Sequence, residues 1–367
     1  MTHSQRRERL AACLSAAGLD ALLVSDLVNV RYLSGFTGSN AALLVFADEM
    51  PAVLATDSRY RTQAARQSPD LEAAIERACG RHLVTRAIAA GVRRIGFESH
   101  VVTVDGYDGL SCALDDHDDV ELVRASGTVE GLREVKDAGE VALLRMACDA
   151  ADAALAALIA GGGLRPGRTE RAVARELEAL MRDHGADGPS FETIVAAGVN
   201  SAVPHHRPTD AELSAGDFVK IDFGALVGGY HSDMTRTFVL GQAGKAADWQ
   251  RDIYALVSAA QRAGVAALER GTPLAEVDAA ARRVIADAGY GEHFGHGLGH
   301  GVGLQIHEAP GIGSAAVGAL RAGSVVTVEP GVYLPGRGGV RIEDTLLVGE
   351  RGAESLSSFP RELTVLG

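Results

Sequence analysis

Phe218-Val219-Lys220-Ile221-Asp222-Phe223-Gly224, followed by Gly228-Gly229 and the run Tyr230–Phe238, is the stretch on which the reading of this 367-residue chain turns. The first seven residues have a strand pattern, the paired glycines permit a reversal, and the later run can return as a second strand. Such a hairpin places Asp222 and Asp233, eleven residues apart, side by side. Two carboxylates on adjacent strands repel unless something positive lies between them. The plain alternative is a turn aspartate and a surface aspartate.

The arrangement recurs downstream. Val325–Val328 leads into Glu329-Pro330-Gly331, and Gly338-Gly339-Val340-Arg341-Ile342-Glu343-Asp344 follows a glycine-rich turn at Pro335–Gly339. Two strands around that turn would bring Glu329 and Glu343 together, with Arg341 two residues from Glu343 and able to pair with a carboxylate. A surface hairpin with ordinary ion pairs is again the bland account, weakened because two such hairpins occur in one chain. Between them lies Gly295-His296-Gly297-Leu298-Gly299-His300-Gly301-Val302-Gly303, too glycine-rich for a stable helix and suited to close approach of a ligand. We assign His300 to a metal and His307, beyond a possible short strand Leu304-Gln305-Ile306, to substrate. His205 and His206 stand in a loop after the strand-like Thr193–Ala197, so seven of the twelve histidines fall between His205 and His307. The GxGxxG-like string is a poor nucleotide motif, because no strand–helix unit of the dinucleotide-binding kind surrounds it.

Asp222, Asp233, His300, Glu329 and Glu343 therefore form a candidate ligand set. Four converging carboxylates without a cation would take up protons, whereas two divalent metals remove the conflict. Two metals sharing a water make a hydrolase.

Composition sets the frame. The length allows about two domains of roughly 100–200 residues each, and 47% apolar residues supply a sizeable core. The net charge of −13, with only Lys136, Lys220 and Lys245 as lysines, argues against nucleic acid or an anionic membrane as partner. Cys13, Cys79, Cys112 and Cys148 are widely spaced and read as reduced thiols. Met1–Leu10 is polar and charged, unlike a signal peptide, and no window approaches a membrane span, so the cytoplasm is the expected location.

An α/β (α+β) fold in two domains, 1–127 and 128–367, is expected. In the first, Asp20–Ser25, Ala41–Phe46, Ala52–Ala55 and Arg94–Phe97 read as strands, and Arg61–Gln67 and Leu83–Ala90 as helices. A linker helix should start near Val135 and run through Ala160 to Gly161-Gly162-Gly163. A second helix follows Thr169 as far as Arg182. Trp249–Glu269 and Pro273–Ala288 form another helix pair, and each pair precedes strands bearing the suspected ligands. This rhythm suggests an internal duplication about a pseudo-twofold axis.

With the residues set out, the order Asp, Asp, His, Glu, Glu resembles the signature of the pita-bread metallopeptidases, the family of methionine aminopeptidase, aminopeptidase P, prolidase and creatinase. The spacing of eleven and fourteen residues within the acid pairs is similar to that of the proline-specific members. Tyr32-Leu33-Ser34-Gly35-Phe36-Thr37-Gly38-Ser39 and Asp57-Ser58-Arg59-Tyr60 resemble the N-terminal domain of short bacterial Xaa-Pro peptidases. The resemblance implies that Asp222 binds one metal, Asp233 and Glu343 bridge both, and His300 and Glu329 complete the second site. It gives Glu329 the proton shuttle and gives His205 and His307 contacts to the scissile carbonyl and leaving residue. Two Mn²⁺ ions are expected, Co²⁺ and Zn²⁺ being the alternatives, because an oxygen-rich site with one histidine suits hard ions.

The expected partners are short proline-containing peptides, with no nucleic acid, no membrane, and a homodimer. An Xaa-Pro aminopeptidase is the leading expectation, and a strict Xaa-Pro dipeptidase the alternative. The dipeptidase needs the far side of its pocket blocked by the N-terminal domain or a neighbouring subunit. A metal-free binding protein of the same architecture is the remote alternative.

Overall fold

The computed structural model describes residues 1–241 and 246–366; Lys245 lies outside them. The chain divides into two units, Met1–Arg133 and Glu134–Gly367. The division falls after Arg133, where the sequence suggested residue 127.

The first unit is built on a six-stranded mixed sheet. Its order is Glu72–Ile75, Val53–Thr56, Ala41–Phe46, Ala21–Val24, Arg94–Phe97, Glu121–Arg124. Ala21–Val24 pairs antiparallel with Ala41–Phe46 and parallel with Arg94–Phe97. The central strands are apolar along their whole length and buried on both faces, as strands covered by helices must be. Leu23, Leu44 and Ile95 pack with Leu83 and Val84 of the helix Cys79–Ala89. That helix starts four residues before the expected Leu83. The outer strands Glu72–Ile75 and Glu121–Arg124 were not expected, because they are part-exposed and their apolar residues, Ala73-Ala74-Ile75 and Leu122-Val123, make only short runs. The two N-terminal motifs meet: Phe36 and Tyr60 stack edge to face with ring centroids 5.8 Å apart, and Ser39 Oγ bonds the Tyr60 hydroxyl at 2.6 Å.

The second unit is built twice over. Ala138–Ala160 begins at Asp137, whose carboxylate caps the amides of Gly139 and Glu140, three residues later than the expected start at Val135. It packs with Glu170–Asp183 over the strands Ile194–Ala197, Phe218–Phe223 and Met234–Leu240, around Leu155, Leu177, Ile221 and Phe238. Asp248–Ala266 and Leu274–Asp287 pack likewise over the second set of strands, around Val257, Ile285, Val326 and Leu346. In each half a strand breaks, restarts, turns back, breaks again and continues. Phe218–Phe223, Ala225–Val227, Tyr230–His231 and Met234–Leu240 are matched by Val325–Val328, Gly331–Leu334, Gly338–Arg341 and Asp344–Val348. Gly228 and Gly229, with φ of 55° and 82°, make the first reversal possible. The expected strand Leu304–Ile306 is instead a bend leading into Glu308–Ile312.

Candidate metal centre

Three of the four acids sit at strand breaks. Asp233 falls between Tyr230–His231 and Met234–Leu240, Glu329 between Val325–Val328 and Gly331–Leu334, and Glu343 between Gly338–Arg341 and Asp344–Val348. At a break the side chain is freed from the alternation of the pleat and can turn inward. Asp222 lies within its strand opposite Thr235, not opposite Asp233 as a simple hairpin would have it. His300 is carried by the short strand Gly299–Gly301, and its neighbours must be glycine. A Cβ on Gly299 would lie 2.0 Å from the Thr327 carbonyl oxygen, and one on Gly301 would lie 2.2 Å from that of Ala309.

The halves tie each other's acids in place. Two residues beyond Asp233, Thr235 donates its hydroxyl to Glu343 Oε2 at 2.6 Å. Two residues beyond Glu343, Thr345 donates to the Asp233 carbonyl at 2.8 Å and accepts from the Asp233 amide at 3.3 Å. Asp233, His300 and Glu343 offer ligand atoms within 4.8 Å of one another. His300 Nε2 lies 3.5 Å from both Asp233 Oδ2 and Glu329 Oε1, while its Nδ1 faces the Gly301 carbonyl at 3.1 Å. That carbonyl can accept a hydrogen bond from Nδ1–H, leaving the Nε2 lone pair toward the acids.

Electrostatics shows what the cluster lacks. Burial, then the neighbouring carboxylates, pushes the Asp233 and Glu343 carboxyls well above the usual range. Burial likewise takes Glu329 up to about 7, against the pull of His300 and Arg341. Asp222 Oδ1 is buried with no hydrogen-bond partner. The one guanidinium in the cluster is Arg341, buried and bonded to Asp222 through Nη2, to Thr235 Oγ1 at 3.0 Å and to the Tyr333 hydroxyl at 2.8 Å. Four ionised carboxylates facing one guanidinium leave an excess of negative charge that buried groups cannot hold without a counterion. An oxygen-rich donor set with one imidazole, an orphaned carboxylate oxygen and an unmet charge suits divalent cations.

A cavity of about 260 Å³ opens onto the cluster, lined by all five candidate ligands together with His205, His307, Phe191 and Ile306. His307 stands edge-on to His300 with centroids 4.4 Å apart, and burial, with its histidine neighbours, lowers its pKa. A larger cleft of about 850 Å³ beside Phe294 and Ile312 holds none of the five. The structure thus brings Asp222, Asp233, His300, Glu329, Glu343, His205 and His307 around one space, with Arg341 behind Asp222.

Sequence reasoning gave no role to several residues now seen around the centre. His296 Nε2 faces the Tyr333 hydroxyl at 2.8 Å, and burial drives the His296 pKa down to about 4. Lys220 is fully buried two residues before Asp222. Glu308 forms a buried ion pair with Lys136 at 2.7 Å beside His307. The D-x-T and E-x-T repeats at Asp233 and Glu343 were the available signal for the threonine ties.

Comparison with known proteins shows the family. Residues 142–350 match the metallopeptidase family M24 and residues 6–135 the creatinase/prolidase N-terminal domain. An Xaa-Pro dipeptidase of Pyrococcus horikoshii is 33% identical over 98% of this chain and 99% of its own. The structure of an Xaa-Pro dipeptidase from Bacillus anthracis matches with a TM-score of 0.93 and 38% identity, covering 100% of both chains. An X-Pro aminopeptidase from Thermotoga maritima matches at 0.86 and 34%, covering 95% of this chain and 98% of its own. The chain belongs to metallopeptidase family M24, with a creatinase/prolidase N-terminal domain ahead of the catalytic one.

Proposed function

We propose that the chain is a two-metal peptidase that hydrolyses Xaa-Pro dipeptides. The observation that carries this reading is the group Asp233, His300 and Glu343, two buried carboxylates and a half-buried imidazole with ligand atoms within 4.8 Å, facing a cavity that His205 and His307 also line. The aminopeptidase expectation gives way to its dipeptidase alternative. The dipeptidase relatives match over almost the whole chain.

Asp222, Asp233, His300, Glu329 and Glu343 would hold two divalent ions, Mn²⁺ in preference to Co²⁺ or Zn²⁺ given the hard donor set. When bound, such ions act as Lewis acids and lower the pKa of a shared water enough to supply a nucleophile near neutrality. The chain's own groups do the rest. Glu329 would take the proton from the nucleophile and pass it toward the leaving imino nitrogen. His205 and His307 can donate to the carbonyl oxygen as negative charge develops there. Arg341, tied to Thr235 and Tyr333, fixes the orientation of Asp222. An Xaa–Pro bond calls for a dedicated enzyme because its nitrogen carries no hydrogen to grip.

The test is hydrolysis of Ala-Pro beside Ala-Pro-Ala by Mn²⁺-loaded protein, with a chelator control. Cleavage of the dipeptide alone is expected; release of alanine from the tripeptide at a comparable rate restores the aminopeptidase reading. We also propose a cytoplasmic homodimer. No helix among the described residues is long and apolar enough to cross a membrane. Sedimentation at micromolar concentration checks the dimer, and a single monomeric species contradicts it.

A further inference from the structure

Among the described residues no hydrogen bond holds the His205 ring, although it lines the cavity. Its place is therefore set by the backbone strap that carries it, from Ala197 to Thr209. Two buried side chains, Glu170 and Lys220, grip that strap.

Glu170 opens the helix Glu170–Asp183 and is completely buried. Its Oε1 accepts from the Ala197 amide at 2.9 Å and Asn200 Nδ2 at 3.0 Å. Its Oε2 accepts from the Thr209 amide at 2.9 Å and the Thr209 hydroxyl at 2.7 Å, and lies 2.8 Å from His206 Nε2. One carboxylate thus pins both ends of the strap. Lys220, also completely buried, donates Nζ to the carbonyls of Val203 at 2.6 Å and Pro204 at 3.2 Å, the two residues before His205. Arg341 Nη1 reaches the Pro204 carbonyl from 3.3 Å. Lys220 shares a strand with Asp222, and Arg341 ends the strand just before Glu343, so the strap is fastened to the scaffold of the cluster itself. The bonds that the Glu170 carboxylate accepts are charge-assisted and directional, and they suit a contact whose distance must be held.

We propose that Glu170 and Lys220 are positioning residues for His205: they fix the strap so that the His205 ring stands at a set distance from the acid cluster, and they act on turnover only through it. The inference rests on hydrolysis at this centre. Any short peptide the wild-type chain cleaves serves as substrate, so failure of the proline reading leaves the test intact.

A double-mutant cycle of Glu170→Gln with His205→Ala makes the test. Glutamine has one acceptor oxygen, so its amide N–H groups must face either the Ala197 and Asn200 donors or those of Thr209. In the wild-type background kcat should fall about 100-fold, the effect of a displacement near 1 Å, while KM moves little. In the His205→Ala background the same change should cost within about twofold, because its route is already gone. Metal content should match the wild type. Lys220→Met should behave in the same way. If Glu170→Gln does not fold, Asn200→Ala, which removes one donor from the strap, decides by the same cycle with a smaller loss. Equal losses in both backgrounds, no loss in either, or a loss that follows metal content overturns the proposal.

Discussion

The catalytic unit buries carboxylates in two regions and treats them in opposite ways. At the strap, Glu170 loses its hydration and regains donors from Ala197, Asn200, His206 and Thr209. Although burial opposes its charge, those donors hold its carboxyl below the usual range. At the centre, Asp233 and Glu343 lose hydration equally and meet one another, and their carboxyls rise well above it. Burial alone therefore does not mark a reactive acid. What marks it is burial without enough donors, a deficit that a divalent cation fills. The first region is finished by protein atoms and the second is built for something else.

The largest expected effect lies at the centre. His300→Ala should cut peptide hydrolysis on the order of 10³-fold, since groups that act as a unit fail together, and metal content should fall with it. Normal activity at unchanged metal content would remove His300 from the ligand set. Next comes Thr235→Val, which takes a donor from Glu343 Oε2 and an acceptor from Arg341 Nε. A loss of about 10–100-fold in metal affinity or activity is expected from such a supporting contact, read by metal titration and initial rates.

The contrast also predicts opposite responses to pH in chelator-treated protein. Glu329 rises from its ordinary 4.5 to about 7 on folding. Its contribution to stability is therefore full below 4.5 and is lost as pH rises through 7. Glu170 moves the other way: its contribution is present above the unfolded value and is lost as pH falls through the folded one. Denaturant melts of Glu329→Gln should show a smaller fall toward neutrality than the wild type, Asp233 and Glu343 still contributing to it, and those of Glu170→Gln a smaller acid limb. Identical profiles for the two variants would dissolve the distinction. The smallest effect belongs to an acid that never left water. Glu72 pairs with Arg86 in the first unit, with both side chains about half exposed. Arg86→Ala should cost about 0.5 kcal/mol in a denaturant melt.

These contrasts show why some parts were legible in the sequence and others were not. The ligand types and their order could be read because each is a short local pattern: an acid at a strand end, or a histidine between glycines. The helix pairs and the doubled rhythm were visible for the same reason. How the acids meet was less visible. A hairpin predicts cross-strand neighbours, whereas Asp222 faces Thr235 and three acids sit at breaks, where a strand passes from one sheet to another. A break has no periodicity to detect. Glu170 was harder still, because in sequence it is one more acid in the first turn of a helix after a threonine cap. Only the fold shows that its partners lie 27 to 39 residues away. In the first unit the two outer strands were missed because edge strands bury too little to carry an apolar pattern.

The central claim is that the acid cluster is completed by two divalent cations. Calorimetric titration of Mn²⁺ into chelator-treated protein near pH 6, repeated in buffers of different ionisation enthalpy, tests it most directly. The account predicts two ions per chain, bound with net release of protons from the carboxyls that burial has pushed up. Binding of no ion, or of a single ion with no proton released, would contradict it.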